Sequence, residues 1–170
     1  MSENPRFPAE WEPQSAVLMA WPHAGTDWAE RLPETSRCFA NICSAISARQ
    51  KLLLLVPNNT IEQEASKYLE TAGSRFKNIH FIRLTYDDTW LRDSGPITLL
   101  INHGFRLLDF HFTAWGGKFA AEHDDKIVSE LVNQGLFSDA QHQRIDFALE
   151  GGGIETDGMG TLLTTWHCLH

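Results

Sequence analysis

Leu52-Leu53-Leu54-Leu55-Val56-Pro57-Asn58-Asn59-Thr60-Ile61-Glu62-Gln63 decides the fold class of this chain. Five apolar residues in succession, with no polar face, read as a strand buried on both sides. Pro57-Asn58-Asn59 stops the strand. Thr60 with Gln63 three residues on reads as a capping box. Ile61, Ala65, Tyr68 and Leu69 then recur at helical spacing, and Gly73 supplies a terminating glycine. A buried strand running straight into an amphipathic helix is the step from which mixed α/β proteins are built.

The same step recurs on either side. Ala16 to Trp21 is a short apolar run broken by Pro22-His23-Ala24-Gly25, so it reads as another buried strand. Pro33 opens a helix in the first-turn position that proline favours. Phe39, Ile42, Ala45 and Ile46 mark its apolar face up to about Arg49, and Cys38 and Cys43 within it read as small buried hydrophobes. Ile79 to Leu84 is a third strand. Ser94-Gly95-Pro96 signals a turn, and Ile97 to Ile101 with Arg106 to Phe112 flank Asn102-His103-Gly104 as a hairpin. Trp115-Gly116-Gly117 reads as a loop. Ile127, Val128, Leu131 and Val132 form a helix closed by Gly135. Phe147 to Leu149 and Thr161 to Thr165 are the last strands. No linker or low-complexity stretch divides the chain, which predicts one domain over residues 1–170. Ending on a strand with nothing to close the sheet suggests half of a larger body.

Bulk composition narrows the function. The chain has 170 residues, 42% apolar and 21% charged, with a formal net charge of −8. That balance argues against nucleic acid and anionic membranes as partners, because both require clustered Lys and Arg. No apolar run is long enough to cross a bilayer, and the polar start lacks the pattern of a signal peptide, so a cytoplasmic protein is expected. Three cysteines without repeat spacing do not suggest a disulfide framework.

Three segments carry candidate chemistry. In Asp87-Asp88-Thr89-Trp90-Leu91-Arg92-Asp93-Ser94-Gly95-Pro96, three carboxylates, a Trp and an Arg follow a strand end. An ionised Asp accepts two parallel N–H bonds from a planar guanidinium, and a Trp stacks on the same flat cation. The plain alternative is a charged loop in which Arg92 and Asp93 pair with neighbours and Trp90 fills the core. Leu149-Glu150-Gly151-Gly152-Gly153-Ile154 places a carboxylate before three glycines, which allow close backbone approach; the alternative is a hairpin turn. It lacks dinucleotide-binding spacing, and no helix follows. In Phe110-His111-Phe112-Thr113-Ala114-Trp115-Gly116-Gly117-Lys118, alternate aromatics suit a packed strand, and Trp115-Gly116-Gly117 either lines a site or simply turns.

Together these segments resemble a known family. Pro8-Ala9-Glu10-Trp11-Glu12-Pro13 with Ala20-Trp21-Pro22, Trp90-Leu91-Arg92-Asp93-Ser94-Gly95-Pro96, Ala114-Trp115-Gly116-Gly117, and Glu150-Gly151-Gly152 with Gly160-Thr161-Leu162-Leu163-Thr164-Thr165 are similar, in order and spacing, to the agmatine deiminases and bacterial peptidylarginine deiminases. The resemblance runs from residue 8 to 165. It implies part of a pentein α/β propeller, with ββαβ-type modules around a central pocket and roughly half of the full family domain present. It also implies hydrolysis of a guanidinium group on a small cationic substrate: agmatine, or an arginine side chain of a protein. The reaction runs through a covalent Cys adduct without metal or organic cofactor.

By position, the resemblance makes Asp93 the guanidinium-gripping carboxylate and Glu150 the second acidic group near the reacting centre. Trp90 becomes a pocket wall and Arg92 a support for the loop or for the far end of the substrate. Trp115, Gly116, Gly117, Gly151 and Gly152 border the pocket. The family's His-x-Asp motif and nucleophilic Cys fall beyond residue 170. His167-Cys168 does not read as a substitute, since adjacent strand residues point to opposite faces; a metal role for His167, Cys168 and His170 is disfavoured likewise. Two classes of function therefore remain: part of a catalytic deiminase, or a non-catalytic fragment that binds guanidinium compounds. Exposed apolar edges on a half-propeller predict self-association as a homo-oligomer.

Overall fold

The computed structural model describes residues 4–169. They form two compact units: Gln14–Leu91, and the segment up to Pro13 together with the chain from Arg92 onward.

In Gln14–Leu91, a parallel sheet runs in the order β1 (Val17–Ala20), β2 (Leu52–Val56), β3 (Ile79–Arg83). Side chains alternate across a strand, so Leu52, Leu54 and Val56 share one face. There they are fully buried with Ala40 and Cys43 of α1 (Leu32–Ser47) and Ala65 and Leu69 of α2 (Asn59–Thr71). Leu55, on the opposite face, is also fully buried, as the unbroken apolar run predicts. Trp21 joins the cluster, edge-on to Phe39 at 6.5 Å and tilted against Tyr68 at 6.1 Å.

Two local readings are corrected here. Asn58, not Thr60, caps α2: its backbone is extended and its side chain accepts from Ile61 N at 3.0 Å, which puts Thr60 inside the first turn. Such a cap contributes about 1 kcal/mol, against about 1.5–3 kcal/mol for each buried leucine, so packing rather than capping places the helix. On α1, Ile42 and Ala45 face solvent, and the buried stripe is Ser36, Ala40, Cys43 and Ser47. Ser47 tolerates full burial because its hydroxyl donates to Ser44 O at 3.2 Å and accepts from Arg75 N at 3.1 Å.

Cys38 is exposed, contrary to the reading of both α1 cysteines as buried, whereas burial pushes the Cys43 thiol up to about 12. Only the thiolate alkylates readily. Iodoacetamide at mildly alkaline pH is therefore expected to label Cys38 and to leave Cys43 untouched until denaturant is added. Equal labelling of both in the native protein, read by peptide mass spectrometry, would contradict this packing of α1.

The second unit is built on β4 (Ile97–Ile101), β5 (Gly104–His111) and β6 (Ala140–Ala148), in that order. β4 and β5 form the expected hairpin, closing at Ile101 and Gly104. β5 and β6 are parallel, with a register shift between Phe110 and His111. The helix Ile127–Asn133 lies between them in sequence and buries Ile127, Val128 and Leu131. β6 is much longer than the predicted Phe147 to Leu149, because its first residues are polar and solvent-facing and carry no apolar alternation. β7 (Ile154–Thr156), absent from the sequence reading, pairs with β8 (Leu162–Thr164). Leu162 and Leu163 are both exposed, so β8 shows apolar side chains on both faces. Arg6 bridges to Leu100 and grips Glu12 at 2.6 and 2.8 Å. That grip, helped by Ala9 N, pulls the Glu12 carboxyl down to about 2.

Candidate functional site

Asp93 stands in a single helical turn, Leu91–Ser94, where the sequence reading expects Ser94 to begin a turn. It is half-buried. Both of its oxygens are held: Oδ2 accepts from Trp115 Nε1 at 3.2 Å, and Oδ1 accepts from the backbone N–H of Gly152 at 2.9 Å. The three segments singled out in the sequence thus converge on one carboxylate. Each carboxylate oxygen has two lone-pair directions, so both keep capacity for a further donor.

Trp115 reaches Asp93 from an unusual backbone. Ala114, Trp115, Gly116 and Gly117 have φ of 48°, 57°, 82° and 78°, forming a left-handed turn where a loop is expected. For an L-residue this costs roughly 1–2 kcal/mol. The turn is held by Gly117 N donating to Thr113 O at 2.7 Å, Gly116 N to Thr113 Oγ1 at 3.1 Å, and Lys118 N to Ala114 O at 3.1 Å. Phe112 and Phe119 meet the indole edge-on at 5.3 and 5.9 Å, which fixes its plane.

Gly151–Gly153 is one turn of 3-10 helix rather than a hairpin turn. A Cβ on Gly152 would run into Asp93 Oδ1, and one on Gly151 into the carbonyl oxygen of Arg92. Close approach therefore requires glycine at both positions. Glu150 precedes the turn, half-buried, and its backbone oxygen accepts from Gly153 N at 2.9 Å. Its carboxylate is not among the groups that hold Asp93. Arg92 pairs with Glu10 and, at 3.6 Å, with Glu155. All three are well exposed, and such pairs contribute little stability.

Trp90 belongs to the other unit and is exposed rather than filling the core, packing against Trp28 at 5.7 Å. Trp28 Nε1 donates to Thr89 Oγ1 at 2.8 Å, and Asp88 accepts from Asp27 N at 3.2 Å and Thr89 N at 2.7 Å. Burial, with the Asp27 carboxyl nearby, raises the Asp88 pKa; burial likewise lowers that of His23. These contacts tie the segments after β1 and β3 to each other.

Sequence reasoning missed one cluster. Arg144 on β6 donates to Asp109 at 2.6 Å, to both oxygens of Asp125 at 2.8 and 2.7 Å, and contacts His111 Nδ1 at 2.6 Å. Asp109 is almost fully buried and also meets His142 Nε2 at 2.8 Å. The available signal was an arginine and a histidine, Arg144 and His142, in a stretch with little apolar content. Cys168 closes a short turn, with Thr165 Oγ1 donating to its sulfur at 3.1 Å. His170 lies outside the described residues. Among the described residues no group of three or more His, Cys, Asp or Glu is arranged to hold a metal, and no helix is long and apolar enough to cross a membrane.

Residues 6–170 match the model of the Porphyromonas-type peptidyl-arginine deiminases. An agmatine deiminase of Pseudomonas aeruginosa is 34% identical over 96% of this chain and 44% of its own length. A cysteine-to-serine variant of the C. jejuni agmatine deiminase, solved with substrate bound, superposes with a TM-score of 0.85 at 32% identity, over 98% of this chain and 47% of that one. The agmatine deiminase of Enterococcus faecalis gives 0.80 at 30% identity, over 97% and 44%. The chain thus spans less than half the length of the relatives it matches.

Proposed function

Because the chain belongs to the Porphyromonas-type peptidyl-arginine deiminase family, with part of its pentein fold, we propose that residues 1–170 are one partial domain that grips the guanidinium group of a small cationic substrate for hydrolysis. The carrying observation is the carboxylate of Asp93, held on one oxygen by Trp115 and on the other by Gly152. Fixed donors on both oxygens aim the remaining lone pairs, so a planar cation meets a prearranged acceptor rather than a rotating one. Glu150 supplies the second carboxylate, and Gly116, Gly117, Gly151 and Gly152 the close backbone border. Arg92, tied to Glu10 and Glu155, supports the loop.

The chemistry that fits this grip is attack of a Cys thiolate on the guanidinium carbon. Ammonia leaves with a proton from a His, and water then cleaves the carbon–sulfur bond to release a ureido product and the thiol. On the family pattern, both the thiolate and the His come from the length of the relatives that this chain does not match. Agmatine is the preferred substrate, giving N-carbamoylputrescine in cytoplasmic putrescine synthesis. Membership of a peptidyl-arginine deiminase family favours arginine side chains as the second reading.

Titrating the chain with agmatine, free arginine and a blocked arginine peptide tests this. Agmatine is expected to bind best, without ammonia release. Preference for the peptide would overturn the substrate choice, and turnover that survives Cys168→Ser would overturn the placement of the nucleophile beyond this chain.

A further inference from the structure

The two donors that hold Asp93 come from adjacent strands. β5 ends at His111 and runs through Phe112 into the left-handed turn that carries Trp115. β6 ends at Ala148 and runs through Leu149 and Glu150 to Gly152. The register shift falls at this exit, where His111 pairs with Ala148 and Leu149 N donates to His111 O at 3.2 Å. Bulges of this kind re-aim the chain beyond them.

Arg144 sits just inside that exit, opposite Asp109 in the β5–β6 register. Its guanidinium spans Asp109 of β5 and both oxygens of Asp125. Asp125 Oδ1 also accepts from the backbone N–H of Phe112 at 2.7 Å. Phe112 is buried and abuts the Trp115 indole edge-on at 5.3 Å. An unbroken series of contacts therefore runs from Arg144 through Asp125 and Phe112 to Trp115 and Asp93, while β6 itself leads to Gly152. A lysine, with a single point-like head, cannot make this planar two-sided grip.

We propose that Arg144 is a positioning residue for Asp93: by clamping β5 to β6 where they release Trp115 and Gly152, it sets the spacing of the two N–H donors on that carboxylate. It touches no substrate. Its consequence for binding rests on the guanidinium reading; its structural effect does not.

The test uses the full chain and two variants. Arg144→Lys keeps a cation beside buried Asp109 but loses the hold on Asp125. Asp125→Asn keeps an acceptor for Phe112 N but weakens the grip on Arg144. In 1H–15N spectra the Trp115 indole and Gly152 amide signals are expected to move in both variants, with the thermal midpoint close to wild type. Agmatine affinity is expected to fall about ten-fold. Unmoved signals would overturn the proposal, and so would moved signals with unchanged affinity. If Arg144→Lys does not fold, Asp125→Asn decides by the same readings. If the wild-type chain binds no agmatine while the signals still move, the guanidinium reading falls and the positioning role stands.

Discussion

Asp93→Asn is expected to weaken guanidinium binding by about 100- to 1000-fold while leaving the chain folded. Two losses combine. The first is the charge: hydrogen bonds to an ionised partner contribute about 1.5–3 kcal/mol, roughly twice the neutral value. The second is geometric. Both carboxylate oxygens already accept, from Trp115 Nε1 and from Gly152 N. An amide offers one oxygen and one NH2, so in either orientation a donor faces a donor, and the side chain must turn or the loops must part. Half-burial of Asp93 keeps solvent from repairing the mismatch fully. Calorimetric titration with agmatine checks this, with circular dichroism as the folding control. Affinity within a few-fold of wild type would mean that Asp93 is not the gripping carboxylate.

Gly152→Ala is expected to have the next largest effect, about 10- to 100-fold on affinity at one to two times 1.4 kcal/mol. The added methyl would occupy the place of Asp93 Oδ1, so the Gly152 N–H bond cannot survive with Asp93 where it is. Gly116→Ala makes the useful contrast. A Cβ there meets nothing within 4 Å, but the residue holds φ at 82°. It is therefore expected to cost about 1 kcal/mol of stability through backbone strain without a steric push on Asp93. If both alanines weakened binding equally at equal stability, close approach at Gly152 would not be the cause.

The sequence made β1, β2, β3 and both long helices legible, because buried apolar runs and proline, asparagine and glycine punctuation coincide there. It hid most of β6, whose Gln141, His142, Gln143 and Arg144 are solvent-facing and show no alternation. That strand is specified by its pairing with β5 and by Arg144, Asp109 and Asp125, partners up to 35 residues apart. The left-handed turn was equally hidden: Gly116-Gly117 permits positive φ, but nothing local announces it at Ala114 and Trp115. Resemblance marked Asp93, Trp115 and Gly152 as a set, yet only the fold shows them meeting, since hydrogen bonds across 22 and 59 residues leave no periodic trace.

The division of the chain into Gln14–Leu91 and the segments on either side of it also bears on the order of events during synthesis. The inner unit is continuous, emerges early, and its parallel strands are joined by local helices. The outer unit cannot pair Arg6 with Leu100 until both have left the ribosome. Closing that loop of roughly ninety residues through disordered chain carries an entropic penalty that grows with the logarithm of its length. An inner unit that is already folded removes most of the disordered chain from that loop, which lowers the penalty. Folding from the inside outward is thus the faster route, and mutations in the Leu52–Val56 core should slow the appearance of the outer sheet as well as their own.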